Sequence, residues 1–210
     1  MKSFLLAISG PTAAGKTYFT NKLIGVFEEN NLSTIRISTD EFYKDLSHLQ
    51  MEERIKVNYD LPQSIDIEEF SRALRQLHEG HSTEIPVYDF STHTRKSETR
   101  MVNPAIVIIV EGIFSLAFPE INSLYNLKIF IDLDQDLRLI RRVRRDLKER
   151  GRNVESVFNQ YINQVRPAQD QYVIHDRERA DIILHGNKNH HNIYQLLKDA
   201  VSYHISWKPK

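Results

Sequence analysis

Residues 10–17 read Gly-Pro-Thr-Ala-Ala-Gly-Lys-Thr, which fits the pattern G-x-x-x-x-G-K-[ST]. Each residue type there suits the grip of a polyphosphate. Gly10 and Gly15 let the backbone turn tightly enough to aim its N–H groups at phosphate oxygens, and Pro11, Thr12, Ala13 and Ala14 complete the loop. Lys16 reaches terminal phosphates, and Thr17 offers a hydroxyl to Mg²⁺. Glycine makes up about 7% of an average chain, so chance produces this pattern in 210 residues on the order of one time in a hundred. Phosphoryl transfer to an alcohol also needs a carboxylate beside the attacking oxygen, to orient it and take its proton. Asp40, in the segment STDEFYKDL, and Glu111, closing VIIVEG, both follow short apolar runs. Asp40 is the candidate base, and Asp40, Glu111 and Thr17 are candidate metal ligands.

A second chemistry-bearing segment runs from Asp134 to Arg152. Eight basic residues (Arg138, Arg141, Arg142, Arg144, Arg145, Lys148, Arg150, Arg152) stand there against four acidic ones (Asp134, Asp136, Asp146, Glu149), a net of +4. Arg142 and Arg145 are three apart and share a helix face. Arginine forks match the charge spread over the oxygens of a transferring phosphoryl group. Arg141, Arg144 and Lys148 read as a solvated face, and Leu137, Ile140, Val143 and Leu147 as the buried stripe.

The elements that must position these residues follow from apolar spacing. Phe4–Ser9 reads as a buried strand and Gly15–Asn30 as the helix after it. Thr34–Ser38 is a second strand, and Ile67–Glu79 a helix ending at Gly80. Glu84–Tyr88 is short and extended. Ala105–Val110 and Leu127–Ile131 read as strands. The spacing predicts helices over Asp134–Arg150 and Val154–Arg166, the latter stopped by Pro167. A strand over Ala180–Leu184 and a helix over Ile193–Tyr203 close the series. Strands alternating with helices predict an α/β fold with a mainly parallel five-stranded sheet between helical layers. Ligands in such sheets lie beyond the strand C-termini.

Composition narrows the classes. The chain has 28 Lys+Arg against 28 Asp+Glu and no cysteine. A disulfide framework, a thiolate zinc site and a cysteine nucleophile are excluded, and a reducing, cytoplasmic setting is expected. A net charge of zero argues against a general nucleic-acid binder. The longest aliphatic run, Ala105–Val110, is six residues, whereas a membrane span needs about 20. An Asn-Lys-x-Asp element is absent and no glycine follows an Asp by three, which argues against a guanine-nucleotide switch. A small phosphotransferase remains. His175, His185, His190 and His191 lack metal-ligand spacing and read as surface residues, and the lone Trp207 lies in a polar tail.

The ordered series GPTAAGKT, STDEFYKDL, NYDLPQSID, IPVYDFSTHTR, IVEGIF, RLIRRVRRDLKERGR and QYINQVRP resembles the uridine kinase (uridine–cytidine kinase) family, from about residue 3 to 187. The resemblance implies a three-layer P-loop kinase fold in one domain over 1–210. A β-hairpin insertion at about 82–100 would bind the base, and an arginine-bearing helical lid would span about 134–170. It implies Asp40 as the base that deprotonates a nucleoside 5′-hydroxyl, Asp60 as a ribose ligand, and Tyr88, Phe90 and His93 as the pyrimidine-holding residues. Arg142, Arg152 and Gln160 would contact the nucleoside, Arg145 and Arg150 the transferred phosphate, and Tyr59 would pack near the base. The implied donor is ATP with Mg²⁺, and the implied assembly a homotetramer. Leu61 stands where the family usually has histidine. Related kinases of other alcohols (pantothenate, ribulose phosphate, nicotinamide riboside) and a non-catalytic nucleotide-binding regulator are the alternatives.

Overall fold

The computed structural model describes residues 2–206; Trp207 lies outside them. Among the described residues seven strands run β1 (Phe4–Ser9), β2 (Thr34–Ser38), β3 (Thr83–Asp89), β4 (Thr94–Val102), β5 (Val107–Glu111), β6 (Leu127–Asp132) and β7 (Ile182–His185). The α-helices are α1 (Lys16–Glu29), α2 (Met51–Arg54), α3 (Ile67–His78), α4 (Pro119–Asn122), α5 (Gln135–Glu149), α6 (Val154–Gln160), α7 (Arg166–Ala168), α8 (Asp176–Arg179) and α9 (His191–Ser206).

Five strands form a parallel sheet in the order β2-β5-β1-β6-β7, so the strand that feeds the phosphate loop is central. Strand β1 is buried along its whole length, and its side chains alternate between the two faces as pleating requires. Leu5 and Ala7 join the core layer with α3 (Phe70, Leu74, Leu77) and β5 (Ile108, Val110). Phe4, Leu6 and Ile8 join the layer with α1 (Phe19, Leu23, Phe27) and α9 (Leu197, Val201). A sheet covered on both faces explains why β1 and β5 are continuously apolar rather than alternating. Strands β3 and β4 form a separate antiparallel hairpin, with a register shift between Pro86 and Tyr88.

Two expectations fail. Pro167 does not stop its helix. The chain passes from α6 through a π-helical stretch, Tyr161–Val165, into α7, which contains Pro167, and then into a second π stretch, Gln169–Val173. A proline breaks the usual i→i−4 ladder by lacking an N–H, but the wide π turn on either side already shifts that ladder by one residue. The stripe predicted for α5 is also wrong. Its buried residues are Arg138, Arg142 and Asp146, while Ile140 and Leu147 are 47% and 39% exposed. Only Leu137 packs against the core layer that holds α1 and α9. The helix lies along the edge of the sheet's ligand end, so its inward face meets polar groups rather than the core.

Candidate active site

Strand β1 delivers the chain into the phosphate loop, and α1 begins at Lys16. Gly15, at φ 108°, takes the left-handed turn at the helix start. The Lys16 ammonium donates to Gly10 O at 2.7 Å and Pro11 O at 3.0 Å, so it lies folded across the loop. Burial pulls its pKa down from 10.5 to about 8; Glu111 and then Asp40 act against that fall. Thr17 Oγ1 donates to the two Glu111 carboxylate oxygens at 3.4 and 3.3 Å. Glu111, at the end of β5, is itself buried, and burial pushes its carboxyl up with Lys16 as the chief opposing charge.

Asp40 sits in a 3-10 turn, Thr39–Phe42, directly after β2. The turn is held by reciprocal bonds: Asp40 N donates to Ser38 Oγ at 3.3 Å, and Ser38 N to Glu41 Oε2 at 2.9 Å. Burial raises the Asp40 carboxyl, opposed first by Lys16 and then by a hydrogen bond from the Tyr43 hydroxyl. Gly112 packs against this turn. A Cβ at Gly112 would stand 1.9 Å from Thr39 Oγ1, and its φ of 153° disfavours any side chain. Gly112→Ala is expected to push the Asp40 turn outward and cost about 1–3 kcal/mol of stability, read by urea unfolding.

The acceptor end of the cleft is aromatic. Tyr88 is buried against Tyr43, with ring centroids 5.1 Å apart, and edge-on to Phe90 at 5.2 Å. Tyr59 stacks on His93 at 5.5 Å, and its hydroxyl donates to Arg54 O and His93 O at 3.1 and 3.3 Å. Tyr88 and Tyr59 thus build a wall as much as they offer faces, whereas Phe90 is 59% exposed and free to stack. His93 holds a left-handed backbone at φ 52°, an unusual state for a side-chain-bearing residue, and burial lowers its pKa, which favours the uncharged ring. Asp60 lies between these aromatics and the arginines. Burial raises its carboxyl and Arg142 opposes that most.

Helix α5 forms the facing wall. Arg142 donates to Thr12 Oγ1 at 3.2 Å and to Gln160 Oε1 at 3.0 Å; Arg152 donates to the same Gln160 oxygen. Arg145 and Arg150 flank them on the cleft. One cleft of about 1810 Å³ gathers Thr12, Ala13, Gly15, Lys16, Thr17, Asp40, Tyr59, Asp60, Tyr88, Phe90, His93, Glu111, Arg142, Arg145, Arg150, Arg152 and Gln160. A single-ligand pocket is roughly 300–1,000 Å³, so there is room for two substrates. Gly10, Pro11 and Ala14 of the same loop are buried and do not reach the cleft surface.

Three residues escaped the sequence reading. Tyr43 touches Asp40 and the aromatic wall; its place three residues after Asp40, one turn away, was the available signal. Arg141, read as solvated, instead lines the cleft and donates to Gly186 O at 3.2 Å. That partner, just after strand β7, lies 45 residues away in sequence, and spacing within one helix cannot show it. Asp146, counted only as a negative charge, is fully buried among the arginines. His185 and His190 are half-buried rather than on the surface: His190 packs edge-on to Phe19 at 5.5 Å and meets His185 O at 3.0 Å.

A phosphate loop on the central strand of a parallel sheet, with a carboxylate-bearing turn and an arginine helix opposite, defines a P-loop phosphotransferase. The profile of the phosphoribulokinase / uridine kinase family matches residues 5–191, and the chain belongs to that family. It is 43% identical over 183 residues to a uridine kinase of Clostridium tetani, covering 87% of each chain. Over 180 residues it is 42% identical to a uridine kinase of Staphylococcus haemolyticus, covering 86% of each. It shares its fold with phosphoribulokinase from Rhodobacter spheroides at a TM-score of 0.67 and 15% identity, over 88% of this chain and 70% of the other. The chain is a kinase. No described helix is long and apolar enough to cross a membrane.

Proposed function

We propose that this kinase transfers the γ-phosphoryl group of ATP to the 5′-hydroxyl of uridine, and also of cytidine, as a pyrimidine-salvage enzyme of the cytoplasm. The observation that carries the reading is the place of Asp40: its turn lies between the phosphate loop and a pocket walled by Tyr59, Tyr88, Phe90 and His93. The name of the relatives supports the nucleoside as acceptor. The whole chain is read as one kinase domain, with the hairpin gripping the base and the α5–α7 segment serving as lid. A homotetramer belongs to the same reading.

The donor set suits Mg²⁺. A hydroxyl and a buried carboxylate, Thr17 and Glu111, already face each other as hard oxygen ligands at the loop. Among the described residues no group of three or more His, Asp or Glu side chains is placed to hold an ion unaided. When bound, Mg²⁺ would neutralise the charge of the phosphates. Thr17 and Glu111 would hold it, with Asp40 at the acceptor side.

The chain's own residues do the remainder. Backbone N–H groups of 12–17 and Lys16 hold the phosphates. Asp60 and Arg142 orient the ribose, and the hairpin fixes the base, so the 5′-oxygen meets the γ-phosphorus in line. The bond from that phosphorus to the β,γ-bridging oxygen breaks as the bond to the 5′-oxygen forms, and Asp40 takes the hydroxyl proton. Arg145 and Arg150 stabilise the charge on the transferring group.

The test is an ATP-dependent phosphorylation screen over nucleosides and small alcohols, read by product mass. Uridine monophosphate is the expected product; product from pantothenate or a sugar phosphate alone would overturn the assignment. A neutral His93 has one donor and one acceptor nitrogen, so it can serve either uracil O4 or the cytosine amine. Cytidine is therefore expected to react with a kcat/KM within about a hundredfold of uridine's. His93→Ala should lower both.

A further inference from the structure

Asp146 is fully buried in α5, yet it is surrounded by charge. Arg145 Nε donates to its Oδ1 at 2.9 Å, and Arg145 Nη2 is ion-paired with the same oxygen at 2.9 Å. Arg142 Nε and Arg152 Nη1 stand 3.6 and 3.7 Å from Oδ2, and Arg150 Nη1 stands 3.8 Å from Oδ1. One carboxylate thus faces four guanidinium groups, and Asp60, the other carboxylate that acts on Arg142, still leaves the cations in excess. Asp146 Oδ2 and Arg142 Nε make no hydrogen bond among the described residues. A buried ion pair that served folding alone would be matched in charge and fully hydrogen-bonded, because desolvation otherwise outweighs attraction. Here the anion is outnumbered, and all four cations line the cleft.

We infer that Asp146 is a positioning residue that holds Arg142, Arg145, Arg150 and Arg152 converged on the cleft before a nucleotide arrives. The inference rests on the phosphoryl-transfer reading above. Four cations this close repel one another, and the carboxylate they share draws them to one point. The excess positive charge is then ready for the phosphates, and no rearrangement is needed as negative charge builds in the transition state. Asp146 lies beneath the arginines and acts only through them. Gln160, bonded to both Arg142 and Arg152, is a second tie in the same cluster.

Asp146→Asn keeps the shape and removes the charge. Its kcat is expected to fall about tenfold to a hundredfold, while KM for ATP changes by less than about threefold, since any loose arginine still attracts a polyanion. In an Arg145→Ala background the same change should lower kcat by a smaller factor than in the unaltered protein, because part of its effect passes through Arg145. A residue that only supports the fold would lower the unfolding temperature, leave kcat per folded site unchanged and add independently to Arg145→Ala. Either of those last two kinetic results overturns the inference. So does failure of both Asp146→Asn and Asp146→Ser to fold, which would make the carboxylate a structural one. The assay uses whichever acceptor the unaltered enzyme phosphorylates, so a zero rate with uridine fails the substrate reading alone.

Discussion

Asp40→Asn is expected to cut kcat by about 10²–10⁴ while leaving ATP affinity nearly unchanged, as loss of a general base does. The asparagine can keep the turn, because the bonds that hold it run through Ser38, Glu41 and the Asp40 backbone N–H, not through the Asp40 carboxylate. It cannot accept the proton of the 5′-hydroxyl. The pH profile gives an independent sign. Burial raises the Asp40 carboxyl above the 3.8 of an ordinary aspartate, and a protonated carboxyl is no base. Activity in kcat/KM for the nucleoside should therefore be lost as pH falls through a value above the usual aspartate range, and that acid limb should vanish in the asparagine variant. Rate measurements from pH 4 to 9 on both proteins check this. Full activity in Asp40→Asn would remove Asp40 from the role.

The readable part of this site is the part written locally. The phosphate loop is continuous in sequence, and its flanking strand and helix follow from a run of six buried residues and a helical period. Asp40 and Glu111 meet at one edge of the sheet because Asp40 lies in the turn after β2, Glu111 is the last residue of β5, and these parallel strands end on the same side. The family resemblance carried the acceptor residues, none of which is marked by spacing alone. The arginine helix shows where local reasoning fails. Ile140 and Leu147 have a helical spacing that elsewhere marks a core, and arginines are seldom buried. In α5 the order is reversed, because the helix borders a cleft and each buried cation has a partner from another segment. Arg138 finds Leu133 O and Gln169, and Arg142 finds Thr12, 130 residues away. Such partners appear only when the chain is folded. Pro167 teaches the same lesson about backbone: a helix-breaking residue is tolerated once the flanking turns have widened.

Lys16→Ala is expected to lower kcat by at least about 10³, the scale set by loss of a cation that meets the transferring phosphoryl group. The protein should nonetheless fold. Among the described residues Lys16 is bonded only to the Gly10 and Pro11 carbonyls, and its burial as a cation is unfavourable, as its fall in pKa from 10.5 to about 8 shows. Between those two values the unfolded chain holds the proton and the folded chain does not, so stability contributed by this group rises with pH across that window. Catalysis runs the other way. Above about pH 8 the free enzyme loses the charge that draws the phosphates, so kcat/KM for ATP should decline along an alkaline limb set by Lys16. Lys16→Arg separates charge from geometry: a guanidinium stays protonated, so ATP binding should hold steady through that range, while kcat stays low because a planar fork cannot fold across the loop as the ammonium does. Titration of ATP binding by calorimetry from pH 7 to 10, on the unaltered protein and the arginine variant, reads the difference. A normal transfer rate in Lys16→Ala would refute the phosphate-loop assignment itself, since the pocket would then hold its polyphosphate without the one ammonium that the loop carbonyls already position.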